Sequence, residues 1–308
     1  MRNKLKIATL FLMLISIKGF AQQDPMYTQY MNNPLTINPA YAGTTGAPVI
    51  AGTFRQQWVG IDGAPTTSTI SYHTPIKRYD FGAGANMIYD VIGPVKQTGL
   101  YLNYSYLIKF EQNRTLSLGL LGGFNHFHLN YTHLIYETPD DDISGLDNES
   151  LFLPNFGVGT FYYTDNIYLG LSVPKLIRNS LDKQETDIDY LNREEWHWFF
   201  MGGSIIKINP YLNFKPSFMT RIAPGAPISL DLTAIFMFFD KFWLGANYRF
   251  GESIGGIVRW QFNPKLDVGY SYDYSNPRIK AFNKGTHEIQ ISYTFIKEGK
   301  RILSPRYF

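Results

Sequence analysis

The sequence predicts an all-β fold, a transmembrane antiparallel β-barrel of about fourteen strands with periplasmic termini. Three observations carry this. Apolar and polar residues alternate with period two almost from end to end, the signature of strands. No apolar run after residue 21 reaches the roughly 20 residues a spanning helix needs. Short and long connections alternate along the chain, as the two rims of an outer-membrane barrel require.

The alternation is clearest from Leu266 to Tyr274, where Leu266, Val268, Tyr270, Tyr272 and Tyr274 alternate with Asp267, Gly269, Ser271 and Asp273. The segments 100–106, 242–250, 257–262 and 289–295 follow the same rule. One face is apolar and aromatic, and the other carries mostly Gly, Ser, Asn, Asp and Arg. Fourteen candidates result, near 48–58, 66–75, 80–90, 96–109, 114–130, 151–163, 166–174, 196–208, 211–221, 227–239, 241–250, 254–262, 265–274 and 286–296. Many reach about 9–11 residues, the length of a membrane strand rather than of a soluble sheet.

Turn residues supply the second signal. Tight connections are expected at Ile76-Lys77-Arg78, Glu111-Gln112-Asn113, Thr164-Asp165, Asn209-Pro210, Asp240 and Asn263-Pro264. The intervening ones are mostly longer, at 59–65, 131–150, 175–195, 222–226 and 275–285. Short turns in the periplasm opposite long external loops fit a barrel, and a soluble sandwich has no reason to sort its loops this way.

The first residues give the compartment. Arg2, Lys4 and Lys6 precede an apolar run from Ile7 to Ile17, and Gly19-Phe20-Ala21 ends in a small residue before Gln22. This is the layout of a secretory signal cleaved near Ala21/Gln22; an uncleaved anchor is the other reading. The expected organisation is a signal peptide over 1–21, a periplasmic N-terminal segment over 22–47, an outer-membrane barrel over 48–298 and a C-terminal tail over 299–308. The leader takes four of the 28 basic residues and no acid, so 24 basic residues face 25 acidic ones in the mature chain, a formal charge of −1. Nucleic acid, which needs a basic face, is excluded as a partner. Cysteine is absent, which removes thiol chemistry, Cys-based metal sites and lipoprotein processing. Outer-membrane lipid is the expected surrounding.

Residues 22–43 do not read as a strand. The pairs Asn33-Pro34 and Asn38-Pro39 break regular structure, because proline lacks a donor N–H and restricts its predecessor. The segment has aromatic residues and Met but little charge, unlike typical disorder. An ordered element that caps or enters the barrel mouth is expected, with a disordered leader as the alternative.

A second unusual block runs from Phe54-Arg55-Gln56-Gln57-Trp58 through Gly60, Asp62, Gly63 and Pro65 to Thr66-Thr67. Thr53, Arg55 and Gln57 are expected on one face of the first strand, with Phe54 and Trp58 on the other. Arg55 would then face the lumen, avoiding the roughly 2–4 kcal/mol that an arginine costs at the lipid midplane. Gly60, Asp62, Gly63 and Pro65 would shape a tight external loop. The block reads either as a network inside the barrel or as a partner contact.

These two blocks resemble the PorP/SprF family. The first is carried by Asp24-Pro25, Gln29-Tyr30, Asn33-Pro34 and Asn38-Pro39-Ala40-Tyr41-Ala42-Gly43. The second is carried by Arg55, Gln57, Trp58, Gly60, Asp62, Gly63, Pro65 and Thr66, followed by Ser71-Tyr72-His73-Thr74-Pro75. The strand opening Thr286-His287-Glu288-Ile289 and the final Arg306-Tyr307-Phe308 also look similar. The resemblance implies a component of the type IX secretion system of Bacteroidota. Some members look like core parts of the machine, and others like partners of secreted adhesins, including gliding adhesins, recognised by a C-terminal domain. The motif residues would then be structural or partner-binding, with no catalytic role.

Other constellations carry less. His126, His128 and His133 cluster, and Asp140-Asp141-Asp142 with Asp147 and Glu149 follow, without a second ligand shell or an EF-hand spacing. Exposed rim histidines and a solvated acidic loop are expected, with no cofactor and no metal. Trp196 and Trp198 fit an interfacial aromatic belt, with a protein-binding patch as the alternative. No serine-nucleophile elbow, zinc pair or phosphate loop is present, which speaks against an enzyme and leaves a membrane hydrolase as the remotest reading. The main rival to secretion is a diffusion porin or small-molecule transporter, since fourteen strands can enclose a channel or a filled interior.

Overall fold

Fourteen spans close on themselves in the computed structural model, which describes residues 25–76, 78–130, 149–180, 194–275 and 283–296. The strands are β1 (Val49–Gln56), β2 (Thr66–Ile76), β3 (Phe81–Ile92), β4 (Val95–Phe110), β5 (Arg114–Leu129), β6 (Glu149–Tyr163) and β7 (Ile167–Val173). They continue with β8 (Trp198–Ser204), β9 (Ile206–Asn209), β10 (Leu212–Ile222), β11 (Ser229–Phe238), β12 (Phe242–Arg249), β13 (Ser253–Gln261), β14 (Leu266–Ser275) and β15 (Thr286–Thr294). The segment read as one strand over 196–208 is broken at Ile205, and both halves, β8 and β9, pair with β10. Every pairing is antiparallel, and β1 pairs with β15 to close the ring.

The turns obey the residues that make them. Gln112 and Asn113 both take positive φ, as do Phe239 and Asp240, the conformation that matches the twist of a two-strand hairpin. All connections at this end are short. At the other end the rule is looser than expected: Gly93-Pro94 alone joins β3 to β4, and residues 250–252 join β12 to β13. Strands β4, β5 and β6 run to 16, 16 and 15 residues, whereas β7 and β8 have 7 each, so the wall is tall on one side.

Outward positions are apolar and exposed, as a lipid-facing wall demands. Ile70, Leu102, Leu120, Phe156 and Ile291 lie along the middle. Tyr79, Phe110, Tyr211, Phe239, Phe262 and Phe295 ring the short-turn end, and Phe54, Tyr89, Phe152, Trp198, Tyr248 and Tyr274 lie toward the long-loop end, which gives two aromatic girdles.

The lumen is divided into two arcs. From β6 to β13 the inward residues mix apolar side chains, Phe161, Tyr168, Met201, Met219, Ile235, Met237, Trp243 and Ile257, with buried polar ones such as Lys215, Asp231, Asn247, Arg249 and Arg259. From β14 round through β5 they are mostly polar, including Gln290, Glu288, Thr53, Thr69, Asn86 and Asn103. Residues 25–47 occupy the space between the arcs. They form three single turns of 3₁₀ helix, Tyr30–Asn32, Pro34–Thr36 and Pro39–Tyr41. Pro34 and Pro39 start two of these turns, where a missing N–H is no loss. Tyr30, Met31, Leu35 and Ala40 are buried, and Leu35 and Met31 reach 0% exposure within the apolar cluster of the lumen. Each such apolar side chain contributes about 1.5–3 kcal/mol to keeping the segment inside.

Candidate functional site

The site is the inner wall of the barrel together with the segment it holds. One row of small residues crosses five strands in register: Gly82 on β3, Ser105 on β4, Gly119 on β5, Gly159 on β6 and Ser172 on β7. Residues 37–42 lie along this shelf, across the strands. Ser105 donates its hydroxyl to the Ala42 carbonyl at 2.7 Å, and Ser172 donates to the Ile37 carbonyl at 2.7 Å. A Cβ on Gly82 would overlap the Ala42 carbonyl, one on Gly119 would overlap the backbone of Ala40, and one on Gly159 would overlap the Asn38 amide. These strand glycines are therefore the price of bringing two backbones together.

Asn38 locks the strap. Its Oδ1 accepts the Ala40 N–H at 3.0 Å and caps the turn Pro39–Tyr41, while its Nδ2 donates to the Thr160 carbonyl at 2.9 Å. At the short-turn end the Gly43 N–H donates to His73 Nδ1 at 3.1 Å. Gly43 has φ +73°, and a Cβ there would press on Gly82 and Pro75. Between these points Asn86 donates to the Leu35 carbonyl at 2.8 Å, and Ser71 donates to Asn33 Oδ1 at 3.1 Å. Most of these bonds reach main-chain atoms, so the wall reads the shape of the segment as much as its side chains. Burial pushes the phenols of Tyr30 and Tyr41 well above the usual tyrosine range, so both stay neutral in the lumen.

The segment begins at the long-loop end, where an ionic clamp holds it. Arg55 pairs with Glu288 at 2.9 Å and with Asp273 at 3.2 Å, and all three are almost fully buried. Glu288 accepts the backbone N–H groups of Thr28 and Gln29, each at 2.8 Å. The Thr28 hydroxyl donates to Asp273 at 2.5 Å and accepts from Arg55 at 2.8 Å. Charge-assisted bonds of this kind are the strong ones.

Just above the clamp lies the loop 57–65. Its Gln57 N–H donates to the Pro65 carbonyl, Val59 exchanges two backbone bonds with Lys284 and Gly285, and Gly93 N–H donates to Gly63. Trp58, Gly60 and Gly63 take positive φ, which makes this a compact cap over the β1–β15 seam.

The sequence-predicted residues divide accordingly. Gln29, Tyr30, Asn33, Pro34, Asn38, Pro39, Tyr41 and Gly43 are buried in the lumen, with Pro25 partly so. Arg55 faces inward with Thr53, as expected. Gln57 and Trp58 lie past the end of β1 rather than on its two faces, because the strand stops at Gln56. Gly60, Asp62, Gly63 and Pro65 form the loop, and Thr66 opens β2. Asp24 lies outside the described residues, as do His133 and the acidic stretch 131–148. His126 is exposed, His128 sits beside Ser150 at 3.1 Å, and no cluster suited to a metal occurs among the described residues. Trp196 and Trp198 are both well exposed, and Trp196 Nε1 donates to the Leu176 carbonyl. The residues that sequence reasoning missed are Asp273, Ser105, Ser172 and the shelf glycines. Inward parity of Gly82, Gly119 and Gly159 within strands was the available signal.

No curated protein matches the chain. Among solved structures, the outer membrane protein Omp33 of Acinetobacter baumannii is 9% identical, covers 81% of this chain and 98% of its own, and has a TM-score of 0.48. A FadL homologue of Pseudomonas aeruginosa is 12% identical over 83% of this chain and 94% of its own, at TM-score 0.45. The KdgM porin is 9% identical over 80% and 99%, at TM-score 0.37. No functional weight attaches to these distant likenesses. The family model for the type IX secretion system membrane protein PorP/SprF matches residues 19–293, which takes in the lumen segment, the clamp and the closing strand. The chain therefore belongs to the PorP/SprF family of outer-membrane β-barrels of the type IX secretion system.

Proposed function

We propose that this barrel is a non-enzymatic component or cargo partner of the type IX secretion system, supporting the secretion or surface anchoring of proteins such as adhesins through their C-terminal domain. One observation supports this reading over a diffusion porin: the barrel's own residues 25–47 fill its lumen, with Met31, Leu35 and Ala40 at 0% exposure. A barrel so filled offers its rims and loops, not an open bore, as working surfaces. In this reading the leader is cleaved near Ala21/Gln22, the short turns face the periplasm, and the loop 57–65 lies on the outer side with the longer loops. The motif residues are structural, holding a lumen segment that gives those loops a rigid base.

The test is a clean deletion of the gene, scored for surface display of proteins carrying C-terminal secretion domains and for uptake of small hydrophilic solutes. Lost display with unchanged uptake supports the proposal. Intact display removes it. Affinity capture of the chromosomally tagged barrel then separates the two versions: recovery of machine proteins indicates a component, and recovery of one adhesin indicates a cargo partner.

A further inference from the structure

The lumen segment runs the length of the barrel in one direction. Its described start lies at the long-loop end. Thr28 and Gln29 give their N–H groups to Glu288, and the Thr28 hydroxyl meets Asp273 and Arg55. Arg55 is the penultimate residue of β1 and pairs with Thr67, the second of β2, so this rung lies directly beneath the loop 57–65. Pro25 is only partly buried, whereas Met26, Tyr27, Thr28 and Gln29 are buried, so the chain enters the lumen from that mouth. Midway down, Asn33 meets Ser71, Leu35 meets Asn86 and Asn38 meets Thr160. Gly43 then reaches His73, which lies opposite Val49, the first residue of β1. At the short-turn rim the Pro48 carbonyl accepts the Phe295 N–H. Pro25 and Phe295 therefore sit at opposite ends of the barrel. Cleavage near Ala21/Gln22 leaves only Gln22, Gln23 and Asp24 ahead of Pro25. Three residues reach at most about 11 Å when fully extended. From Arg55 back down to Val49 is about 20 Å of strand at roughly 3.4 Å per residue. At the tilt of a membrane strand that is still about 15 Å of height. The lumen on that path is already occupied by the segment itself, so so short a stub cannot return to the short-turn rim.

We propose, resting on the leader cleavage and the orientation read under the proposed function, that the barrel displays its own mature N-terminus on the cell surface, with residues 25–47 threading the lumen from the outer mouth to the periplasmic rim. This departs from the periplasmic placement expected for both termini and for residues 22–47. The C-terminal end stays with Phe295 on the periplasmic side, and the N-terminal end stands outside with the loop 57–65. The α-amino group of the mature chain thereby joins the outer loops as part of the working surface. An order of events follows. An uncleaved leader would hold residue 21 at the inner membrane, and Pro25, four residues on, could not then reach the outer mouth. Cleavage therefore precedes the settling of the segment in the lumen and the closing of the β1–β15 seam over it.

The chain has no cysteine, so single introduced thiols report the side of the membrane directly. Cells making the full-length protein with Gln23→Cys, Asp62→Cys in the loop 57–65, Glu111→Cys in the β4–β5 turn or Ser304→Cys in the C-terminal tail are treated with a membrane-impermeant maleimide, before and after the outer membrane is permeabilised. Each variant is checked for the heat-modifiable migration of a folded barrel. Gln23→Cys and Asp62→Cys are expected to label in intact cells, and Glu111→Cys and Ser304→Cys only after permeabilisation. A Gln23 position that labels only after permeabilisation, while Asp62→Cys labels in intact cells, overturns the proposal and leaves the orientation standing. Label at Glu111→Cys rather than at Asp62→Cys in intact cells overturns the orientation, and surface display with it. Should Gln23→Cys label in neither state, a short Gly/Ser linker ending in cysteine is inserted between Gln22 and Gln23. Label on that insert in intact cells supports display, and label only after permeabilisation overturns it. A folded barrel whose intact mass still includes residues 1–21 also overturns it.

Discussion

Arg55 and Glu288 stand directly opposite each other across the β1–β15 seam, and their ion pair of 2.9 Å joins the first strand to the last. The same carboxylate accepts the backbone N–H groups of Thr28 and Gln29, so barrel closure and retention of the lumen segment share one side chain. Local β pairing can form hairpins one after another, but the seam requires residues far apart in the chain to meet. A clamp that also holds the segment couples that last pairing to a filled lumen.

Glu288→Ala is therefore expected to be among the most damaging single changes. It leaves a buried guanidinium with one partner fewer and two buried N–H groups with none. Breaking a buried pair in this way costs about 3–5 kcal/mol. Glu288→Gln keeps a neutral acceptor and is expected to cost about half as much, because a hydrogen bond to a charged group is worth roughly 1.5–3 kcal/mol. Urea unfolding in detergent micelles, followed by heat-modifiable migration, measures both. A midpoint for Glu288→Gln equal to that of the wild type would show that the charge of Glu288 is irrelevant.

Gly82→Ala and Gly256→Ala form a second pair. Both glycines lie in strands, but a Cβ at position 82 would overlap the Ala42 carbonyl and Ser105 Oγ, whereas one at position 256 meets nothing within 4 Å. The first change is expected to destabilise by about 2 kcal/mol or more and to loosen the strap, and the second to stay within about 0.5 kcal/mol. Limited proteolysis of the segment 25–47 in the folded barrel gives the readout that separates strap release from general loss of stability.

Much of this was readable from the sequence, and the residues show why. Period-two runs such as Leu266 to Tyr274 fixed both the strands and their lumen faces, since a one-residue slip would put Asp267 and Asp273 into lipid. The inward aim of Arg55 followed from the same parity. The family blocks marked residues 25–43 and 54–67 as special. The place of the segment did not follow, because its contacts are made across sequence separations such as Thr28 with Glu288 and Asn38 with Thr160. No local pattern encodes a partner 260 residues away. The end of β1 was also missed: Gln57 looked like one more alternating residue, but Trp58 at φ +49° turns the chain into the loop.

Asn38→Ala tests the strap from its own side. The change removes the cap on the Ala40 N–H and the donor to the Thr160 carbonyl. Loss of a capping side chain costs about 1 kcal/mol, and the second bond adds a similar amount. Because the wall itself is untouched, the barrel is expected to keep its heat-modifiable migration while residues 25–47 become open to protease. A segment as resistant as in the wild type would show that the apolar anchors and the remaining wall bonds hold it without Asn38.

Lys215 gives a prediction of the opposite sign. It faces the lumen from β10 at 0% exposure, its Nζ has no hydrogen-bond partner, and it lies over the Trp243 ring at 5.6 Å with Arg259 on the same indole. A cation–π contact of about 2 kcal/mol when desolvated does not offset the several kcal/mol needed to bury an ammonium beside another cation. Lys215→Met keeps the length of the side chain and removes the charge, so it is expected to stabilise the barrel by about 1 kcal/mol or more, read as a higher urea midpoint with an unchanged slope. Lys215→Arg, which keeps the charge and adds bulk in a packed interior, is expected to lower it. A lower midpoint for Lys215→Met would mean that the ammonium is worth more in place than its burial costs, and that the lumen holds a compensating anion beside Trp243.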